Sequence, residues 1–117
     1  MRNLAFTLIL TSTFGFTSTA SAGDAQAGKN IFNHVCAYCH NADESDKVGP
    51  GLQGINQRVT AEWLDQWLKN PKEMAKKDDY AKNIVEDNRY KLQMPTLPSM
   101  QNDEKRADVI AYLRSAF

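Results

Sequence analysis

The sequence predicts an all-α domain of four to five short helices. Three observations lead there. Apolar residues recur at helical spacing in separate stretches, no segment shows sustained period-2 alternation, and Gly- and Pro-containing loops followed by capping residues separate the stretches. The 117 residues allow one domain. Fourteen Lys and Arg balance fourteen Asp and Glu, which argues against a nucleic-acid binder with its strong basic excess. Negative mean hydropathy excludes a multi-span membrane protein. Two cysteines exclude a disulfide-stapled scaffold and a four-cysteine zinc site.

Residues 1–22 stand apart from that domain. Met1-Arg2-Asn3 carries one positive charge, Leu4 to Phe16 is apolar and uncharged, and Ala20-Ser21-Ala22 forms a small-residue cleavage signal. This is the three-part pattern of a secretory signal peptide, cleaved after Ala22. An uncleaved anchor is the other reading, but a membrane-spanning helix needs about 20 apolar residues, and this run is shorter. The expected mature domain is 23–117. Losing Arg2 leaves thirteen basic against fourteen acidic residues, a formal charge of −1. Outside the cytoplasm two nearby thiols oxidise unless something else uses them. A core this small also gains from an internal ligand.

The first helix is expected over residues 25–38, where Gly28, Ile31, Phe32 and Val35 share helical spacing and Asp24 can cap. Asn41 to Asn56 reads as loop, with Gly49-Pro50-Gly51 and Gly54. Thr60 can cap the next helix, whose stripe is Trp63, Leu64, Trp67 and Leu68 and whose first turn holds Glu62. Asn70-Pro71 stops or kinks it. From Lys72 to Lys91 eleven of twenty residues are charged, yet Tyr80, Ile84 and Val85 keep helical spacing. That segment reads as a solvated helix with one narrow buried edge, capped by Asp78 or Asp79. Pro95 and Pro98 force Met94 to Ser99 into an extended loop. Asn102 then caps a last helix with the stripe Arg106 (by its stem), Val109, Ile110, Leu113 and Phe117.

One short motif carries the chemistry. Cys36-Ala37-Tyr38-Cys39-His40 has the C-x-x-C-H spacing of covalent haem attachment. On a helix all three side chains share one face, so two thiols can form thioethers to two vinyl groups of one porphyrin while the imidazole sits under the iron. The same chemistry blocks both thiols of an exported chain. A redox disulfide would need a thioredoxin-like βαβ pattern, which is absent from the sequence pattern. A zinc site from His34, Cys36, Cys39 and His40 would need tetrahedral ligands from seven consecutive residues.

A haem makes three further demands. The proximal imidazole needs an acceptor for its second nitrogen, and the Pro50 carbonyl is the candidate for His40 Nδ1–H. The opposite face of the iron needs a ligand from far along the chain. His34 lies too close to His40 to reach round the ring, which leaves Met74, Met94 and Met100. Pro95 biases Met94 away from helical angles and favours it, with Met100 as the alternative near a helix cap. The propionates need donors, for which Arg58 is the best-placed cation. Trp63 and Trp67 either wall the pocket and offer indole N–H groups, or simply pack their helix.

The sequence resembles the class I monohaem c-type cytochromes over nearly all of the mature chain. The resemblance rests on Gly28-x-x-x-Phe32, the C-x-x-C-H motif, Val48-Gly49-Pro50-Gly51-Leu52, Trp67-Leu68-Lys69-Asn70-Pro71, Met94-Pro95 and Asp108-Val109-Ile110-Ala111-Tyr112-Leu113. It implies a small cytochrome c fold around one covalent haem c, held through Cys36 and Cys39. It implies a crossing of the first and last helices, with Gly28 and Phe32 near Tyr112. It also implies that Pro50 accepts from the proximal His40, that the Met94 sulfur lies on the iron, and that Arg58 approaches a propionate. One departure stands out: 22 residues separate Pro71 from Met94, more than the shortest members use, and an extra helix around Tyr80 to Asn88 is expected to fill them.

With His40 and Met94 both on iron, no position is open for substrate, and the soft sulfur favours the ferrous state. No catalytic triad, phosphate loop or carboxylate pair accompanies the motif in the sequence. The expectation is therefore an electron carrier rather than an enzyme, periplasmic, monomeric, and meeting respiratory redox partners transiently through a small interface. Lys47, Lys72, Lys76, Lys77 and Lys91 either ring part of the haem edge or solvate a helix. Two other readings stay open: a dedicated haem subunit of an exported oxidoreductase, and a five-coordinate haem that binds or senses gas.

Overall fold

Side-chain caps set where the helices begin. In the computed structural model, which describes residues 22–117, Asp24 accepts from the Gln26 and Ala27 amides and starts α1 (Ala25–His34). The expected leader, residues 1–22, lies outside the described residues except for Ala22. After a short helix α2 (Ile55–Arg58), the Thr60 hydroxyl caps α3 (Ala61–Lys69) at the Trp63 amide. Asn70 closes α3 and caps α4 (Pro71–Met74), so Asn70-Pro71 starts a helical turn as well as stopping one. Pro71 suits that place because the first helical residue needs no N–H partner. Asp78 caps α5 (Asp79–Asp87), the expected extra helix. Asn102 caps α6 (Asp103–Ala116).

The described residues hold six α-helices, two 3-10 turns and no strand. The count exceeds the expected four to five because α2 and α4 are single turns. Three boundaries also differ: α2 begins at Ile55, inside the stretch expected to stay loop as far as Asn56. The first helix ends at His34 rather than Tyr38, because Val35 leaves helical angles (φ −126°, ψ −56°) before a separate 3-10 turn at Cys36–Tyr38. The loop after Met94 is extended only to Leu97, since Pro98 opens a 3-10 turn through Gln101.

α6 is the spine, packing against α1, α2 and α3. Where it crosses α1, a Cβ on Gly28 would strike the Asp108 carbonyl and the Tyr112 side chain, so the two backbones meet only because residue 28 has none. The crossing is locked by three rings: Phe32 lies 5.4 Å from Tyr112 and 5.9 Å from Phe117 by centroid. The Asp24 amide also donates to Asp108 Oδ1 at 2.7 Å, tying the start of α1 to α6. Behind the crossing, Phe32, Leu64, Leu68, Met100, Val109 and Leu113 form the buried core.

Candidate functional site

The 3-10 turn after α1 presents the motif. The amides of Cys39 and His40 both donate to the Cys36 carbonyl, at 3.0 and 2.9 Å. Cys36, Cys39 and His40 therefore sit on one tight turn set off from α1, not on α1 itself, and all three still line one cavity. Both cysteines are unpaired and half-buried. Burial, and then the neighbouring Cys39, push the Cys36 thiol up to about 11, so it stays neutral at pH 7.

The loop after the motif folds back onto the imidazole. His40 Nδ1 donates to the Pro50 carbonyl at 2.8 Å, as expected. That bond leaves the Nε2 lone pair as the donor to a metal. Gly49 is the residue that sequence reasoning missed. Its amide donates to the Cys39 carbonyl at 2.7 Å, and a Cβ there would fall on the His40 ring. Any side chain would push the loop off the imidazole and break the Pro50 contact. The Gly-Pro-Gly string announced a turn, but not that one glycine lies against a ring nine residues back.

The cavity is a pocket in the core. Phe32 and Val35 from the α1 region, Trp63, Leu64, Trp67 and Leu68 from α3, Ile84 from α5, and Val109 and Leu113 from α6 wall it. Pro50, Leu52 and Ile55 close one side, and Met94, Pro95 and Leu97 another. No Asp, Glu, Lys or Arg lines it. An apolar slot with two thiols, an oriented imidazole and a thioether on its walls fits a haem ring.

The other expected residues divide. Met94 is on the cavity wall, half-buried. Met100 does point inward, but into the core, where it is fully buried and does not reach the cavity. Met74 lines a separate polar groove with Lys69, Glu73 and Lys77. His34 is exposed, with Nδ1 donating to the Asn30 carbonyl of its own helix. Trp63 and Trp67 stack at 5.3 Å and both wall the cavity. The Trp63 indole N–H is not free for a propionate, because it donates to Asp78 Oδ1 at 3.3 Å, the same oxygen that caps α5. Arg58 is off the cavity wall. It is exposed, and its guanidinium donates to the Gly51 and Gln53 carbonyls at 3.2 and 3.1 Å. It lines a neighbouring groove that shares Pro50, Leu52, Ile55 and Ile84 with the cavity. Lys47 donates to the Ala37 carbonyl inside the motif at 2.7 Å.

Comparison with known proteins gives one consistent result. The family model described as cytochrome c matches residues 25–117. The chain is 31% identical over 107 residues to cytochrome c of Guizotia abyssinica, spanning 83% of this chain and 94% of that one. It is 32% identical to the cytochrome c domain of pp3183 protein from Pseudomonas putida, covering 75% of this chain and 85% of that one with a TM-score of 0.64. The fold also matches cytochrome c from Rhodothermus marinus, with a TM-score of 0.71 at 24% identity over 94% of this chain and 89% of that one.

Proposed function

Because the chain belongs to the cytochrome c family, whose members bind haem c and transfer electrons, we propose that it is an exported single-haem carrier whose iron is held by His40 and Met94. Bound haem supplies the one-electron chemistry. The observation that carries the ligand reading is that an oriented imidazole and one methionine sulfur share the walls of a single apolar cavity, while the other two described methionines lie elsewhere. Cys36 and Cys39 are the covalent anchors. The Pro50 carbonyl holds the His40 ring and raises its basicity, and Gly49 keeps that loop flat against it. Trp63, Trp67 and the aliphatic wall exclude water. Arg58 serves the propionate edge from the groove that adjoins the cavity.

With His40 and Met94 both holding the iron, no position would remain open for a substrate, which would suit a carrier and not an enzyme. The leader pattern through Ala22 supports cleavage and a periplasmic location. No helix among the described residues is long and apolar enough to cross a membrane. The charge of −1 after cleavage gives little global steering, so partner encounters are short and local. A second reading, a haem subunit with a lasting interface, draws on the exposed Tyr38 and Leu92, 74% and 55% accessible. Copurification of a stoichiometric partner would favour it, whereas a free monomer favours the carrier.

The visible spectrum tests the ligand set. The ferric protein is expected to show a weak far-red band from sulfur ligation, lost in Met94→Ala, and the reduced spectrum to ignore CO. A high-spin ferric spectrum and a CO shift in the wild type would move the gas-binding reading ahead.

A further inference from the structure

We propose that Asn88 is a positioning residue that clamps the arm carrying Met94 to the loop that holds His40. The proposal rests on the His40 and Met94 ligand reading. Asn88 stands just past the end of α5, with extended angles (φ −59°, ψ 134°). Its two ends face different parts of the molecule. Oδ1 accepts from the Tyr90 amide at 2.9 Å and more weakly from the Leu92 amide at 3.5 Å, which organises the turn leading to Met94. Nδ2 donates to the Val48 carbonyl at 3.0 Å, across 40 residues of chain. Val48 directly precedes Gly49 and Pro50, the two residues that bear on the imidazole.

The turn is built rather than slack. Lys91 donates its amide to the Asn88 carbonyl at 2.9 Å and adopts φ 53°, the left-handed region that disfavours a residue with a Cβ. Its ammonium returns to the Glu86 carbonyl on α5. Among the described residues, the Asn88–Val48 bond is the one hydrogen bond from the segment 88–94 to anything beyond α5. Beyond apolar packing, the geometry thus ties the Met94 arm to the His40 loop by hydrogen bonding through a single amide. Cutting it frees the Met94 arm to leave while the rest of the fold keeps its contacts.

Imidazole competition on the ferric holoprotein reads this directly. Imidazole takes the iron only in molecules whose Met94 has moved away, so its apparent affinity follows that fraction. Asn88→Ala is expected to bind imidazole about fivefold more tightly, the value of one ordinary hydrogen bond, with a weaker far-red band. Asn88→Asp separates the clamp from the turn. It keeps acceptors for Tyr90 and Leu92 but sets a carboxylate oxygen against the Val48 carbonyl, so it too should tighten imidazole binding. If Asn88→Asp binds imidazole as the wild type does, the clamp is overturned whatever Asn88→Ala does. A wild type without the far-red band overturns the Met94 reading, and the clamp with it. Denaturation followed by tryptophan fluorescence should move far less than the imidazole affinity. A parallel loss of global stability would make Asn88 a structural residue and refute the proposal.

Discussion

Arg106 shows how one residue serves both core and surface. Its position on the α6 stripe makes its stem apolar filler, and the side chain is buried at 3% exposure. The guanidinium escapes an unpaired burial by donating to Asp65 at 2.8 Å, Asp103 at 2.6 Å and the Met100 carbonyl at 2.8 Å. Burial alone would lower its pKa, but the bonds it donates to Asp65 and Asp103 outweigh it and hold the arginine above its ordinary value. The Arg106 hydrogen bond, and then its charge, hold the Asp103 carboxyl below the usual range. A depressed folded pKa means stability that is present above the unfolded value, near 4, and lost as pH falls through the folded one. Asp103→Asn should therefore be less stable than wild type at pH 6, and the gap should be smaller at pH 3.5, below the unfolded carboxyl value. Chemical denaturation at the two pH values checks this, and a constant gap would refute it. The same scale explains Gly49, whose missing side chain is occupied by the His40 ring.

The α1–α6 crossing is the contact between elements most exposed to a single substitution. Gly28→Ala sets a Cβ against the Asp108 carbonyl, which is backbone and cannot rotate aside. Overpacking of this kind costs about 1–3 kcal/mol. The denaturant midpoint of the holoprotein should fall accordingly, while its visible spectrum stays that of wild type, because Gly28 does not line the cavity. A change in the spectrum at unchanged stability would contradict that division. α5 lies within the 22 residues that separate Pro71 from Met94. Asp78 both caps it and holds the Trp63 indole, Ile84 reaches the cavity, and Asn88 ties its far end to Val48. The helix is thus tied into the site instead of hanging as a solvated loop.

At the scale of the whole molecule, α1, α3, α5 and α6 all turn apolar residues toward one cavity, so the described fold has a core with a slot through it. Nothing apolar among the described residues fills that slot, and a chain this short has little other core to spare. A Cys36→Ser, Cys39→Ser double variant, which cannot anchor a ring covalently, should lose helical content by far-UV circular dichroism and melt without a sharp transition. A cooperative melt at the wild-type temperature would show that the helices alone suffice. Much of this architecture is legible in the sequence, because the signals are local. Asp24, Thr60, Asp78 and Asn102 cap helices through bonds to amides two or three residues on, and C-x-x-C-H closes within one turn. Helical spacing likewise assigned the α3 and α6 stripes. What only the tertiary structure decided are meetings between distant segments. They include which methionine lines the cavity, that Trp63 spends its N–H on Asp78, and that Arg58 turns to backbone carbonyls beside the cavity. They include, too, that Asn88 reaches Val48. Caps and spacing act over a few residues and leave their mark in the string of letters. A hydrogen bond across 40 residues depends on how whole helices pack, and no short stretch of sequence carries it.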